Sequence, residues 1–446
     1  VKTSDRHVAL RDMAGVWWLV NADGERFFSL GVNHVSPALW LRGYNRGSTL
    51  ARYGQDLVGP DGRFDPHGQA AAEWAEAVVG YMRDWGFNTL GTHTYGAELE
   101  LLREHFYYVK EWSPFGHQRH MRAGARFPDV FSPSFEEDLQ RSAAREVRPH
   151  RNSPNLIGYS YTDGPLWVVS EWQRRRAGYR ADGIHPWVED LLELPAGAPG
   201  KQAILEVLQS HYTDPHDCAR AYGVEAGTWE QLAEVRTWPE GAHRASAERD
   251  SGALLPAIAR RWYAGHRKAV KEVDPTHLIL GDKLWSYGQD APPDWLFPIL
   301  REHIDVLFTQ TSMREEEWPV LAAYREKTGL PVIQGDTGFA FLRQRQSDVK
   351  GERVADAEEM GQSYYRYLRA MAAETWFLGW HFCGFLEEWD DPNVTTPWPC
   401  ENGFLDPYET PHEAALVHVR MANARARAWH EGADVKPPSE SHQDTG

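Results

Sequence analysis

Cysteine is scarce: the 446 residues hold only Cys218, Cys383 and Cys400. An odd count without CxxC or zinc-type spacing gives no disulfide framework. Cys383 lies in an apolar run and reads as a buried thiol rather than a nucleophile. Long apolar stretches are missing too, none approaching the ~20 residues of a membrane span. No signal peptide is visible; the expected compartment is the cytoplasm, or the periplasm or exterior if a leader preceding Val1 has been removed. Positive charge is in short supply. Lysine and arginine number 47 against 64 aspartates and glutamates, a formal net charge of −17. With no basic stripe, such a chain repels phosphate backbones and anionic membrane surfaces, so neither nucleic acid nor membrane is an expected partner. A polyanionic substrate is disfavoured unless a local basic pocket overrides the field.

Several chemical motifs are absent. There is no GxSxG elbow for a serine nucleophile, and no GxGxxG or Walker A loop for a nucleotide. No HxH or HExxH spacing points to a metal. No cofactor and no metal ligands are expected. Internal repeats of 20–50 residues are not seen either, which excludes solenoids and propellers.

What the chain does have is aromatic side chains and alternating elements. Twenty tryptophans stand beside 18 tyrosines and 17 phenylalanines, many of the tryptophans in polar, loop-like contexts. Most such rings belong to a core, but exposed ones stack on the C–H faces of sugars. Short β-branched or aromatic runs alternate with helical patterns, the signature of βα units. The strand candidates are 27–35, 87–93, 106–109, 156–163, 277–283, 304–310, 331–338 and 376–385. They come to eight, near-continuously apolar and ending in polar residues, as strands buried on both faces do. The fold expected is α/β, a (β/α)8 TIM barrel with function at the C-terminal strand ends. Residues 1–430 form the barrel domain. An insertion after strand four, 168–250, is placed over the active-site face, and the polar 431–446 is a flexible tail.

Two strand ends carry isolated acids in turn-forming contexts: Tyr161-Thr162-Asp163-Gly164-Pro165 and Gly335-Asp336-Thr337-Gly338. Asp before Gly is a common turn initiator. Glycosidic cleavage, however, needs one acid to protonate the leaving oxygen and one carboxylate as nucleophile or base. Strands four and seven face each other across a barrel mouth. Together the two positions favour catalysis over turn chemistry.

Longer stretches carry a family likeness. DWGFNTLGTHT, PNLIGYSYTDGPLW, AYGVEAGTWEQL, DPTHLILGDK, LPVIQGDTGF, FLGWHFCGF and NGFLDPYETP occur in the order and spacing of a barrel hydrolase. The chain resembles clan A glycoside hydrolases, above all the agarase (family 50) and β-galactosidase-like (family 42) branches, over nearly its whole length. That resemblance implies Asp163 as acid/base and Asp336 as nucleophile, with Trp380 as a sugar platform. It also implies sugar contacts from Asn33, His34 and His93 at the ends of strands one and two. The family pattern has Asn-Glu and Gly-Glu at the two acids where this chain has Thr-Asp and Gly-Asp. Each change withdraws a carboxyl by one methylene, roughly 1.5 Å, which would widen the gap toward the ~6.5–9.5 Å of inverting enzymes. Thr162 replaces the hydroxyl-binding Asn with a shorter reach.

Other polar groups remain open. Asp282 and Lys283 bind substrate or simply pair, Gln310 lines the pocket, and Glu387 either binds a hydroxyl or sits in a solvated acidic loop. Trp167 stacks on sugar or packs under the insertion. The expected function is exo-acting hydrolysis of a galactan- or agarose-like glycan, with carbohydrate as partner and a homo-oligomer allowed. Two alternatives stand: a metal-dependent barrel enzyme drawing on His34, His93, Asp163, Asp282 and His381, or a carbohydrate-binding protein without turnover on a hydrolase scaffold.

Overall fold

The structure, a computed structural model, describes residues 7–116, 124, 126–163, 167–179, 184–239, 244–286, 291–393 and 400–432. Eight parallel strands close into a barrel. They are β1 (Ser29–Val32), β2 (Thr89–Leu90), β3 (Tyr107–Glu111) and β4 (Leu156–Asp163). Then come β5 (Leu278–Ser286), β6 (Leu307–Thr311), β7 (Val332–Thr337) and β8 (Phe377–Phe382). Each strand pairs with its sequence neighbour, and β8 closes on β1 through Gly379–Ser29 to Phe382–Val32. All eight expected strands are present.

The first expected strand is in fact two. Arg26–Phe27 joins an antiparallel sheet with Ala9–Met13 and Val16–Val20, and the chain then bends into β1. From that sheet Leu19 and Phe27 pack with Ile157, Leu280, Phe308, Ile333 and Leu378, which closes the end of the barrel opposite the acids.

The outer layer follows the apolar spacing of the sequence. Helix α1 (Gln69–Asp84) buries Ala71, Trp74, Ala75, Val78 and Met82, one face at three- and four-residue steps. Helix α2 (Pro133–Glu146) opens on Ser132, whose hydroxyl accepts from the Ser134 N–H. Helix α3 (Arg244–Val273) spans 30 residues, α4 is Ala357–Ala372 and α5 is Glu413–His430. Among the described residues, five shorter helices lie between β4 and α3, from Glu171–Ala177 to Trp229–Glu234. Pro186–Leu192, Pro199–His211 and Pro215–Tyr222 pack on α3, with Trp187 edge-on to Trp262 at 5.3 Å. Residue 250, the expected end of the insertion, falls inside α3. Of the expected tail, Glu431 and Gly432 are described and 433–446 lies outside the described residues.

Three irregularities in the strands set the geometry of the mouth. From Tyr159–Ile279 to Ser160–Gly281 the register advances one residue on β4 and two on β5. The extra residue leaves Gly281 at φ +71°, a conformation only glycine adopts cheaply. From Ser160–Gly281 to Asp163–Lys283 it advances three on β4 against two on β5. From Gln334–Trp380 to Thr337–Phe382 it advances three on β7 against two on β8. Each is a β-bulge, which re-aims the side chains beyond it. Gly335 sits in the last one because a Cβ there would meet the Phe308 ring at 2.3 Å.

Candidate active site

Beyond these bulges, three chemically opposed groups meet at the C-terminal strand ends. Lys283, at 1% exposure, extends its ammonium between both aspartates. Its Nζ donates to Asp336 Oδ2 at 2.5 Å and lies 3.4 Å from Asp163 Oδ1. The aspartates are buried as well, and one oxygen of each falls within 4.8 Å of the other and of a His93 nitrogen. Separation is therefore narrow rather than widened as the shortened side chains suggested. The bulges turn both carboxyls inward and offset the lost methylenes.

Asp336 is gripped on every side. Asn33 Nδ2 donates to Oδ1 at 2.7 Å and to the Gly335 carbonyl at 2.9 Å. Lys350, in the Val349–Lys350 segment, approaches Oδ2 at 3.8 Å. Burial alone would raise this carboxyl, but Lys283, then Lys350 and His93, hold it well below the usual carboxylate range. Asp163 accepts from Trp285 Nε1 at 2.9 Å.

His93 links the acids to a second layer. Tyr95 donates its hydroxyl to Glu111 Oε2 at 3.1 Å, so it accepts from His93 Nδ1 at 2.6 Å. That leaves Nε2 as the acceptor for Lys283 Nζ at 2.8 Å. Glu111 and the aspartates raise the ring's proton affinity above the ordinary value, against burial and Lys283. The ammonium 2.8 Å from Nε2 opposes a second proton on the ring, and the Asp336 and Asp163 oxygens at 3.2 and 3.5 Å oppose its loss.

His34 lies against His93 at a 31° tilt, with ring centroids 4.3 Å apart, and sets Nε2 4.0 Å from Asp336 Oδ1. A fifth of its side chain is open (21%), yet Nε2 itself is enclosed. Burial and the neighbouring His93 lower its pKa well below the ordinary histidine value. Both histidines stand at positive φ, +58° for His34 and +65° for His93. Such a conformation costs a non-glycine residue roughly 1–2 kcal/mol, and strain of this kind collects at functional sites.

Of the residues singled out in the sequence, Asn33, His34, His93, Asp163, Lys283 and Asp336 come together. Others do not. Asp282 faces the helix layer, where Trp262 Nε1 donates to it at 3.2 Å and the Thr162 N–H also reaches it. The Gly281 bulge explains this correction: it shifts the inward alternation from Leu278 and Leu280 to Lys283 and Trp285. Burial pushes the Asp282 carboxyl up to about 7. Thr162 is buried at the end of β4, with its backbone committed to Asp282.

Trp380 points outward onto Tyr364 and Tyr367, at 4.5 and 4.8 Å, and donates to Thr337 Oγ1 at 3.0 Å. It is not a sugar platform; the inward side chain of β8 is His381, bonded to Ser29 at 2.9 Å. Trp167 stacks on Trp187 at 5.5 Å and donates to Tyr263, so it packs beneath the insertion. Gln310 is buried on β6. Glu387 is no solvated acid: His412 and Trp389 hold its two oxygens at 2.9 and 2.6 Å, away from the Lys283 cluster.

Sequence reading missed Glu111, Tyr95, Trp285, Lys350 and the position of Cys383. Glu111 and Trp285 lie two residues beyond the expected ends of β3 and β5, so longer strands would have found them. Lys350 carries no signal, as it comes from a two-residue strand outside the barrel.

No family model matches the chain. Among curated proteins it is similar to beta-agarase B of Vibrio sp. (strain JT0107), 21% identical over 392 residues, covering 85% of this chain and 38% of that protein. It is also similar to beta-agarase A of the same organism, 24% identical, covering 93% and 45%. The chain thus spans less than half the length of these relatives. Among solved structures, an exo-beta-agarase superposes with a TM-score of 0.70 at 19% identity, over 96% of this chain and 66% of that one. The barrel fold is shared with the agarases. A second agarase gives a TM-score of 0.68 at 18% identity, again over 96% and 66%. Among the described residues, no helix is long and apolar enough to cross a membrane.

Proposed function

We propose that the chain is a glycoside hydrolase that cleaves β-linked, galactan- or agarose-like glycans from chain ends by a retaining mechanism. The observation that carries this is the facing pair Asp163 and Asp336, with oxygens within 4.8 Å and Asp336 held ionised. Retaining enzymes hold their carboxyls about 5–5.5 Å apart, whereas inverting ones leave room for a water at ~6.5–9.5 Å. Asp336 is the nucleophile, its rotamer fixed by Asn33 and Lys283. Asp163 protonates the leaving oxygen. When Asp336 becomes a neutral ester, Lys283 loses its nearest partner and its field falls on Asp163, 3.4 Å away. That lowers the proton affinity of Asp163 as it must become the base for water attack. The agarase relatives support the substrate class, and the solved exo-beta-agarase supports end-on cleavage.

The test is a panel of agaro- and galacto-oligosaccharides with Asp163→Asn and Asp336→Asn. Each variant should lose at least about 10²-fold in kcat, and products should keep the anomeric configuration. Wild-type turnover in both variants sinks the catalytic assignment. Inverted products sink retention, and internal cleavage at the outset sinks exo action. A second reading draws on Lys283 itself, whose ammonium occupies the space between the carboxylates. A carbohydrate-binding barrel without turnover predicts no hydrolysis of any panel member and unchanged glycan binding in both variants.

A further inference from the structure

The mouth holds a second donor cluster, on the far side of Asp336 from the lysine bridge. His34, Asp336 and Cys383 stand at or just beyond the ends of β1, β7 and β8, three strands adjacent in the barrel. One ligand-type atom from each lies within 4.8 Å of the other two. His93, Asp163 and Asp336 form the other trio with such spacing. There the Lys283 ammonium already stands among the donors, 2.5 Å from Asp336 Oδ2 and 2.8 Å from His93 Nε2. Lys350 also approaches Asp336 from Oδ2, at 3.8 Å. The oxygen nearest His34 is instead Oδ1, at 4.0 Å from Nε2, which accepts from the Asn33 amide at 2.7 Å.

We propose that His34, Cys383 and Asp336 form a site for zinc(II), or a thiophilic congener such as cadmium(II). The donor set is an imidazole, a thiol and a carboxylate. It suits a borderline-soft cation and is wrong for magnesium or calcium, which take oxygen. Three protein ligands with the fourth position open to solvent is the arrangement of accessible zinc sites. A zinc tetrahedron has donor-to-donor edges of roughly 3.3–3.6 Å. His34 Nε2 and Asp336 Oδ1 stand 4.0 Å apart, near that size, and His34 and Cys383 are both partly exposed at the entrance. On binding, the Cys383 S–H bond breaks and an S–Zn bond forms. The proton passes to solvent, so affinity rises with pH. The bound ion would occupy Asp336 and close the mouth to sugar.

The experiment is calorimetric titration of metal-free protein with zinc chloride, repeated with Cys383→Ser and with His34→Asn, the latter keeping a residue that tolerates positive φ. Cobalt(II) serves as the optical probe, through its thiolate charge-transfer band. One zinc per chain is expected, with affinity reduced about tenfold or more in either variant. The cobalt band should be lost in Cys383→Ser. Thermal unfolding confirms that each variant is folded. Absence of zinc binding in the wild type overturns the proposal, as does binding undiminished by Cys383→Ser, which would place the ion at other donors. Binding is read without any turnover, so failure of the glycosidase reading shows only in the oligosaccharide panel.

Discussion

Replacing Lys283 by methionine tests the central feature of the mouth. Methionine matches the lysine stem as far as Cε and removes the ammonium, leaving two buried carboxylates with oxygens within 4.8 Å of each other. Breaking a buried ion pair by removing one partner costs about 3–5 kcal/mol. In the wild type, Lys283 holds its proton more tightly folded than unfolded, with burial opposed by Asp163 and Asp336. Its contribution is complete below the free-lysine value near ~10.4 and fades only as pH rises through the higher folded value. Asp336, held low, contributes above ~3.9 and loses that contribution only as acid reaches its folded value. Wild-type stability should therefore change little with pH from this pair between roughly pH 5 and 9. In the variant, burial and like charge raise a carboxyl instead, the folded state takes up a proton, and stability falls as pH rises from about 4. Urea unfolding should show a gap of about 3–5 kcal/mol at pH 8. At pH 5, where a proton substitutes for the ammonium, the gap should shrink to roughly 1–2 kcal/mol. An equal gap at both pH values, or none, refutes the reasoning.

Three further outcomes follow from the same geometry. Gly335→Ala pushes a Cβ into the Phe308 ring at 2.3 Å, so it should cost about 1–3 kcal/mol in denaturant titrations and lower kcat more than its stability loss explains, because Asp336 is the next residue. Asp282, raised to about 7 by burial, binds its proton more tightly when folded. Stability should therefore fall by about 1.4 kcal/mol per pH unit between its unfolded value near 3.9 and its folded one. Asp282→Asn should flatten that slope in thermal melts at pH 5, 6 and 7; an unaltered slope assigns it elsewhere. Trp167→Ala should cost about 3–5 kcal/mol and leave KM unchanged, whereas a raised KM at full stability would restore the stacking-ring role.

Strand number and order were legible because a parallel barrel strand is buried on both faces and reads as an apolar run whatever its exact phase. Position along most strands was legible too, which is why Asp163, Asp336, Asn33 and His93 were expected at the mouth where the structure has them, while β3 and β5 run on past their expected ends. Facing was not. Asp282 and Lys283 look interchangeable at a strand end, and only the added residue at Gly281 decides which enters the mouth. Trp380 and His381 are the same problem on β8. A sugar-platform tryptophan and a tryptophan packed on Tyr364 share one sequence signature, since both sit in an apolar strand before polar residues. Lys350 arrives from a two-residue strand outside the barrel, too short for any periodicity to mark it.

The bulge at Gly281 bears on how such a site changes over evolution. Deleting that one residue would restore a regular pleat to β5 and leave Lys283 facing inward, as it does now. Keeping the residue and flattening the bulge does the reverse: Asp282 takes the inward place and Lys283 turns to the helix layer, so the centre of the mouth passes from an ammonium to a carboxylate. A residue at 281 that resists φ +71° favours that flattening. Among barrels of this kind, the backbone conformation of one strand residue is as informative about specificity as the identity of the side chains beyond it.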